Sequence, residues 1–170
     1  MDYHRSSVPW NTRALWQEAN ASLATTVRQN RSVIAESRRQ AHQIKCLLEL
    51  TFPHMDRLCR TSCPDCTDIC CQRAWIWADF KDLLFCHLAG IPVPDRQLLG
   101  RQEDHCRYGG PAGCRLERIR RPFVCTWYLC PAQTQRLRKE PAELQTIQET
   151  LRQIKGLRQK MERSFIRAVT

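Results

Sequence analysis

The sequence has no long apolar run. Nothing in it approaches the roughly 20 consecutive apolar residues of a membrane helix. Its opening, Met1-Asp2-Tyr3-His4-Arg5-Ser6-Ser7, leads into polar sequence. It shows neither the apolar core nor the small-residue cleavage site of a secretory signal. The expectation is a cytoplasmic protein that does not enter a membrane, in a compartment that keeps thiols reduced. Glycine is scarce, with six in 170 residues, and neither glycine nor proline occurs between Thr12 and Leu50. A glycine-rich phosphate loop, a Ser-His-Asp set and a paired-carboxylate arrangement are all missing. These gaps point away from an enzyme and toward a binding protein.

Cysteine, in contrast, is plentiful, with eleven residues. Disulfides, metal ligands and inert buried thiols are the three uses to weigh. A reducing compartment disfavours disulfides, and an odd count would leave one thiol over. Metal ligation fits best. The chain also carries a net charge of +10, with 22 arginines and 5 lysines. Such a balance raises nucleic acid or anionic lipid as partners. The basic residues are spread along the chain beside acids, the pattern of solvated helix faces.

The expected fold is mainly α. A cysteine-rich, loop-rich metal-binding centre is flanked by two long helices packed as an antiparallel pair. The boundaries read from the pattern are 1–56 for the first long helix, 57–131 for the cysteine centre and 132–170 for the last. In the first helix, Trp16, Leu23, Val27, Ile34, Ala41, Ile44 and Leu48 recur four and three apart, with Asn20, Asn30 and Ser37 on the same stripe. One unbroken helix is expected from about Thr12 to Leu50, ending near Phe52 because Pro53 disfavours helix in the residue before it. In the last, Pro141 suits a first helical position. Leu144, Ile147, Leu151, Ile154, Met161, Phe165 and Ala168 then form a stripe that only Arg158 breaks. The longer first helix should overhang, leaving Trp10, Leu15 and Trp16 open to a partner or a second copy. Between the two, Asp79 as N-cap and Gly90 as stop predict a helix from about Asp79 to Leu88. A short strand is possible over Arg73 to Trp77.

The centre has few apolar residues to fold around. A structural zinc can supply roughly 10–16 kcal/mol of folding free energy in such a segment. The first thiol group is Cys63-Pro-Asp-Cys66-Thr-Asp-Ile-Cys70-Cys71. A C-x2-C turn sets two sulfurs about one metal. The adjacent Cys70 and Cys71 point differently and suit two metals, or one ligand and one core partner. The second group is Cys106, Cys114, Cys125 and Cys130. Arg107, Arg115, Arg120 and Arg121 would offset thiolate charge. Thr126-Trp-Tyr-Leu129 is expected to wall sulfurs off from water. Cys46 and Cys86 fall on helices as buried small hydrophobes. Cys59, His87 and His105 are possible additions to the ligand set. Asp65, Asp68 and Asp104 read as loop residues or as acceptors behind the ligands.

Together these residues resemble the YkgJ-type cysteine-cluster family, described as zinc- or iron-chelating domains. The matching positions are Cys63, Cys66, Cys70 and Cys71, then Cys106, Gly113 and Cys114, then Arg121-Pro122-Phe-Val-Cys125, and Cys130-Pro131. Trp75-Ile76-Trp77 and the helix after it resemble the family's link between its halves. The resemblance spans Cys63 to Pro131, under half of the chain. The chain departs from the family in a longer Cys66–Cys70 spacing, in Thr126 after Cys125 and in Glu117. The resemblance implies a metal site formed by the eight cysteines and no general activity.

Eight thiolates suffice for two tetrahedral zincs or for one iron–sulfur cluster, and the balance leans slightly to iron–sulfur. The expected function is a non-catalytic, redox- or metal-responsive adaptor. Its helices would recruit a protein partner or a second copy. The alternatives are an electron-transfer component or accessory of an iron–sulfur enzyme, and a zinc-stabilised nucleic-acid-binding protein.

Overall fold

The computed structural model describes residues 8–64, 66, 76–101, 104–110 and 113–170. Within them the chain is mainly helical. Helices α1 (Arg13–Gln29), α2 (Ala35–Ser62) and α3 (Phe80–Ala89) precede a two-stranded hairpin, β1 (Gly109–Gly110) and β2 (Gly113–Cys114). The short helices α4 (Val124–Trp127) and α5 (Pro131–Leu137) and the long α6 (Pro141–Val169) follow.

The two longest helices, α2 and α6, pack on each other. His54 and Arg57 near the end of α2 pair with Glu143 in the first turn of α6, so the two run in opposite senses. Each helix has one apolar stripe, and burying it on the other is the direct solution. Ala41, Ile44 and Leu48 of α2 share one core with Ile154, Met161 and Phe165 of α6. Met55 and Leu58 form a second cluster with Leu137 of α5 and Ile147 of α6.

The first helix is two helices rather than one. Thr12 caps α1 by accepting the Leu15 N–H at 3.2 Å. Asn30 ends it: its side-chain amide donates to the Thr26 carbonyl at 2.9 Å, as does its backbone N–H at 3.1 Å. An asparagine that competes for helical carbonyls favours a break. The stripe survives the break, because Trp16, Leu23, Val27, Ile34, Ala41, Ile44 and Leu48 are all buried.

Two further expectations are corrected. The helix does not stop at Phe52; α2 runs through Pro53 to Ser62. Pro53 lies on the exposed side of α2. There the carbonyl deprived of its N–H partner can meet water, while Thr51, Met55 and Leu58 anchor the buried side. Nor does the start of α1 overhang. Trp16 is buried, and its indole N–H donates to the Pro94 carbonyl at 2.8 Å. Trp10 packs edge-on against it, with ring centroids 6.3 Å apart. The break at Asn30 lets α1 fold back along α3. Of the three residues expected to be open, only Leu15 is exposed.

Helix α3 matches its sequence signals. Asp79 and Asp82 form a reciprocal capping box, and Gly90 closes the helix in the left-handed region at φ 68°. This helix is the hub. Arg158 of α6, the residue that breaks the apolar stripe, is buried and reaches across to it. The guanidinium lies 2.8 Å from Asp82 and 3.1 Å from Asp79, and 5.0 Å over the Phe123 ring. Asp82 also accepts the Phe123 backbone N–H at 2.9 Å. One cation thus joins α6, the cap of α3 and the turn that leads into Cys125.

The two carboxylates do not titrate alike. Burial pushes Asp82 up to about 6, Arg158 opposes that push, and the neighbouring Asp79 adds to it. Burial also raises Asp79, but Arg158 and the Asp82 N–H bring it below its ordinary value.

Breaking a buried ion pair from one side leaves a charge without compensation. Arg158→Ala should cost about 3–5 kcal/mol of unfolding free energy at neutral pH, measured by urea titration. A loss under about 1 kcal/mol would place the clasp outside the stability of the fold.

The pH dependence has a definite sign. Between about pH 4 and about pH 6 the folded chain holds a proton on Asp82 that the unfolded chain has released. Stability from this group therefore falls as pH rises through that window. Unfolding free energy of the wild type relative to Asp82→Asn should decline over the same range. An increase with pH would contradict the assignment.

Candidate metal centre

The floor under the cysteine loops is set by Gln97, which is buried and uses all of its polar capacity. Its Oε1 accepts the N–H of Ala78 at 2.8 Å and of Leu98 at 3.0 Å. Its Nε2 donates to the Pro9 and Ala78 carbonyls, both at 3.0 Å. One side chain thereby ties the N-terminal segment, the lead-in to α3 and the loop after Asp95. On this floor Val8, Leu98 and Leu99 form a small apolar cluster that includes Cys106, with Trp77, Tyr108 and Cys125 packed against it.

Cys106 precedes the hairpin and Cys114 lies in its second strand. Gly109 pairs with Cys114 and Gly110 with Gly113. Gly113 sits at φ +100°, a conformation that L side chains rarely adopt, so this turn requires glycine. Burial pushes the Cys106 thiol above its ordinary value, and the nearby Cys114 adds to that. The backbone N–H groups of Tyr108 and Gly109 and the charge of Arg115 act in the opposite direction, favouring a thiolate. Cys106, Cys114 and Cys125 are therefore brought to one neighbourhood.

The first group begins at the end of α2. Cys63 is the C-cap of that helix. The Cys66 N–H donates to the Cys63 carbonyl at 3.2 Å, the tight turn expected of C-x2-C. Cys70 and Cys71 lie outside the described residues, as do Asp65, Asp68 and the Arg73–Trp75 part of the expected strand. Residues 76 and 77 are not strand. Cys130 is the N-cap of α5. Its sulfur accepts the Gln133 backbone N–H, and its own N–H donates to Gln133 Oε1 at 3.3 Å.

Among the described residues, no three Cys, His, Asp or Glu side chains stand close enough together to hold a metal ion. The donor set is nevertheless of the right kind. Soft thiolates beside backbone N–H groups and guanidinium charge suit zinc or an iron–sulfur cluster.

Several expectations for neighbouring residues change. Trp127 and Tyr128 are about half exposed, at 50% and 47%, so they face water instead of covering sulfurs. The short α4 turns the Cys125–Cys130 segment so that Thr126 is the buried residue. Cys46 is on a helix as expected but is exposed, because its position falls off the apolar stripe of α2. Cys86 is buried, and burial pushes its thiol up to about 12. His87 binds the Asn20 side chain at 3.1 Å, linking α3 to α1, and burial lowers its pKa. Asp104 accepts the N–H groups of Gly100 and Arg101, a loop-capping role. Arg120 and Arg121 are spent on backbone carbonyls of Pro92, Val93 and Leu116.

Arg118 does reach a sulfur. Its Nη2 donates to Cys59 Sγ at 3.3 Å, and its Nε to Asp56. Sequence reasoning missed this contact, since no periodicity links positions so far apart in the chain.

Thiol chemistry should separate these positions. Native-state alkylation followed by peptide mass mapping should label Cys46 early and Cys86 only after unfolding. Equal rates at the two would mean that the burial of α3 is wrong. No protein-family model, curated protein or solved structure matches the chain.

Proposed function

We propose that this chain is a non-catalytic metal-binding protein, a redox- or metal-responsive adaptor. Its cysteine centre holds an iron–sulfur cluster or zinc. The ligands are drawn from Cys63, Cys66, Cys70, Cys71, Cys106, Cys114, Cys125 and Cys130. The observation that carries this reading is the hairpin. Buried Cys106 and neighbouring Cys114 are set where two backbone N–H groups turn toward sulfur. Two thiolates held close in a partly buried site repel each other and lose hydration. A cation between them removes both penalties, and binding then counts toward folding.

A metal here would supply cross-linking of loops and, if iron, one-electron chemistry. The chain's residues supply the rest. The Cys63–Cys66 turn presents two sulfurs, Arg115 offsets charge near Cys106, and the Gln97 floor fixes the loops against α3. The long helices form a scaffold that presents surface to a protein partner or a second copy.

Electron transfer is the second reading, favoured if the metal is iron. Colour and metal content decide. Protein purified without oxygen should carry bound metal. Brown protein with sulfide-to-iron absorption supports a cluster, and colourless protein with zinc supports a structural role. Removing the metal should lower protease resistance between Cys59 and Pro131 while leaving most of the helical circular dichroism. Unchanged protease resistance after verified metal removal would end the folding role, and metal-free protein after anaerobic reconstitution would end the reading.

A further inference from the structure

We infer that the junction of α4 and α5 is a binding site for single-stranded nucleic acid, in which Trp127 and Tyr128 stack on bases and Arg138 takes a phosphate. The inference stands apart from the metal-binding reading and does not require it.

The sequence sets this segment apart. No aspartate or glutamate occurs between Glu117 and Glu140, a stretch that carries Arg118, Arg120, Arg121, Arg136, Arg138 and Lys139. The first three are spent inside the fold, on Asp56, on Cys59 and on backbone carbonyls. Arg136, Arg138 and Lys139 are exposed and pair with no acid among the described residues. A phosphate backbone is the complement of such a segment.

Beside these cations stand two large rings that the core leaves out. Trp127 and Tyr128 are about half exposed. Their rings meet edge to face, 6.3 Å apart at 75°, so they are not stacked flat on each other. A nucleobase stacks on an open ring face whatever the sequence. The backbone holds both rings in place. Tyr128 caps the end of α4, Cys130 caps the start of α5, and Leu129 alone lies between. Against Tyr128, an open cleft of about 310 Å³ is lined by Leu129, Pro131, Thr134, Gln135 and Arg138. That volume is at the small end of ligand pockets and suits one base with its sugar. The Thr134 hydroxyl and the Gln135 amide make no side-chain hydrogen bond among the described residues, so both are left to meet the polar edge of a base.

Two features favour a nucleic-acid strand over an anionic membrane. Rings that dock on a membrane are accompanied by aliphatic side chains that enter the acyl boundary with them. Here the other exposed large apolar residues, Leu15, Val33, Leu50 and Ile166, belong to other parts of the chain. A flat bilayer would also leave the cleft and its polar groups unfilled. A duplex keeps its bases stacked on each other, so only an unpaired strand offers them to the rings.

The test uses the full chain as purified, with metal content and circular dichroism matched between variants. A labelled single strand of about ten nucleotides, DNA or RNA, is titrated by fluorescence anisotropy at low and at physiological salt. The wild type should bind it more tightly than a duplex of the same length, although the duplex has the higher charge density. Trp127→Ala and Tyr128→Ala should each weaken binding about 5- to 100-fold. Tyr128→Phe keeps the ring and should bind as the wild type does. Arg138→Gln should reduce the slope of log K against log salt by roughly 0.7, the share of one phosphate on a single strand. Lys155→Gln, on the exposed side of α6, should leave the preference for single strand over duplex unchanged. Tighter binding of either the DNA or the RNA strand supports the site and names its sugar. If Tyr128→Ala loses helical signal or metal, the wild type's preference between single strand and duplex decides. Tighter binding to duplex, or wild-type affinity in folded Trp127→Ala and Tyr128→Ala, overturns the stacking site and leaves charge alone. Binding to phosphatidylcholine vesicles that contain phosphatidylserine, with none to either strand, overturns it in favour of a membrane.

Discussion

The guanidinium of Arg158 is the point on which the arrangement turns. It comes from α6, it grips both acids of the capping box that starts α3, and it lies over Phe123. Hydrophobic burial alone would leave α3 free to slide or rotate between α2 and α6, because an apolar face has no register of its own. A charge with two fixed partners does not permit that. Once α3 is set, Asp82 also fixes the Phe123 N–H, and with it the entry to the Cys125–Cys130 segment. Helical packing is thereby converted into the placement of a loop. The cost is a buried ionic cluster that leans on every one of its partners.

Much of this was legible in the sequence, for local physical reasons. The α3 signals are short-range: a capping acid, its partner three residues on, and a glycine able to adopt positive φ. The apolar stripes are also local, and most of their residues lie inside, with Leu144, Leu151 and Ala168 half-buried. The stripe residues that looked wrong carry the information that periodicity cannot. Arg158 read as a flaw in a seam but is the clasp. Asn30 read as one more position of an unbroken stripe but is the break that lets α1 fold back. Pro53 shows the reverse: a strong local stop signal yields where one side of the helix is held by packing and the other is open to water.

For the cysteines, a local turn was legible in spacing, but contacts between distant segments were not. Spacing anticipated the Cys63–Cys66 turn, because three residues suffice to define it. Spacing gave no hint that Cys59 sits against Arg118 and Gln133, since those contacts join α2 to segments much later in the chain. The role given to Trp127 and Tyr128 failed for a related reason. Flanking cysteines say which residues lie between two sulfurs, and the backbone turn decides which way they face. In α4 that turn buries Thr126 and sends the aromatics outward.

The two regions also differ in what holds them. The α2–α6 pair closes on itself through large apolar side chains, so it has a reason to stand without any ligand. The loops around the hairpin rest on a small cluster and on Gln97. Small clusters leave little net free energy after chain entropy is counted. The loops therefore have less apolar burial to hold them than the scaffold beside them. The C-terminal turn of α2 belongs to both regions: Leu58 packs into the helical core, and Cys59, its neighbour, faces Arg118. A change of state at the sulfurs would reach the long helices through that turn.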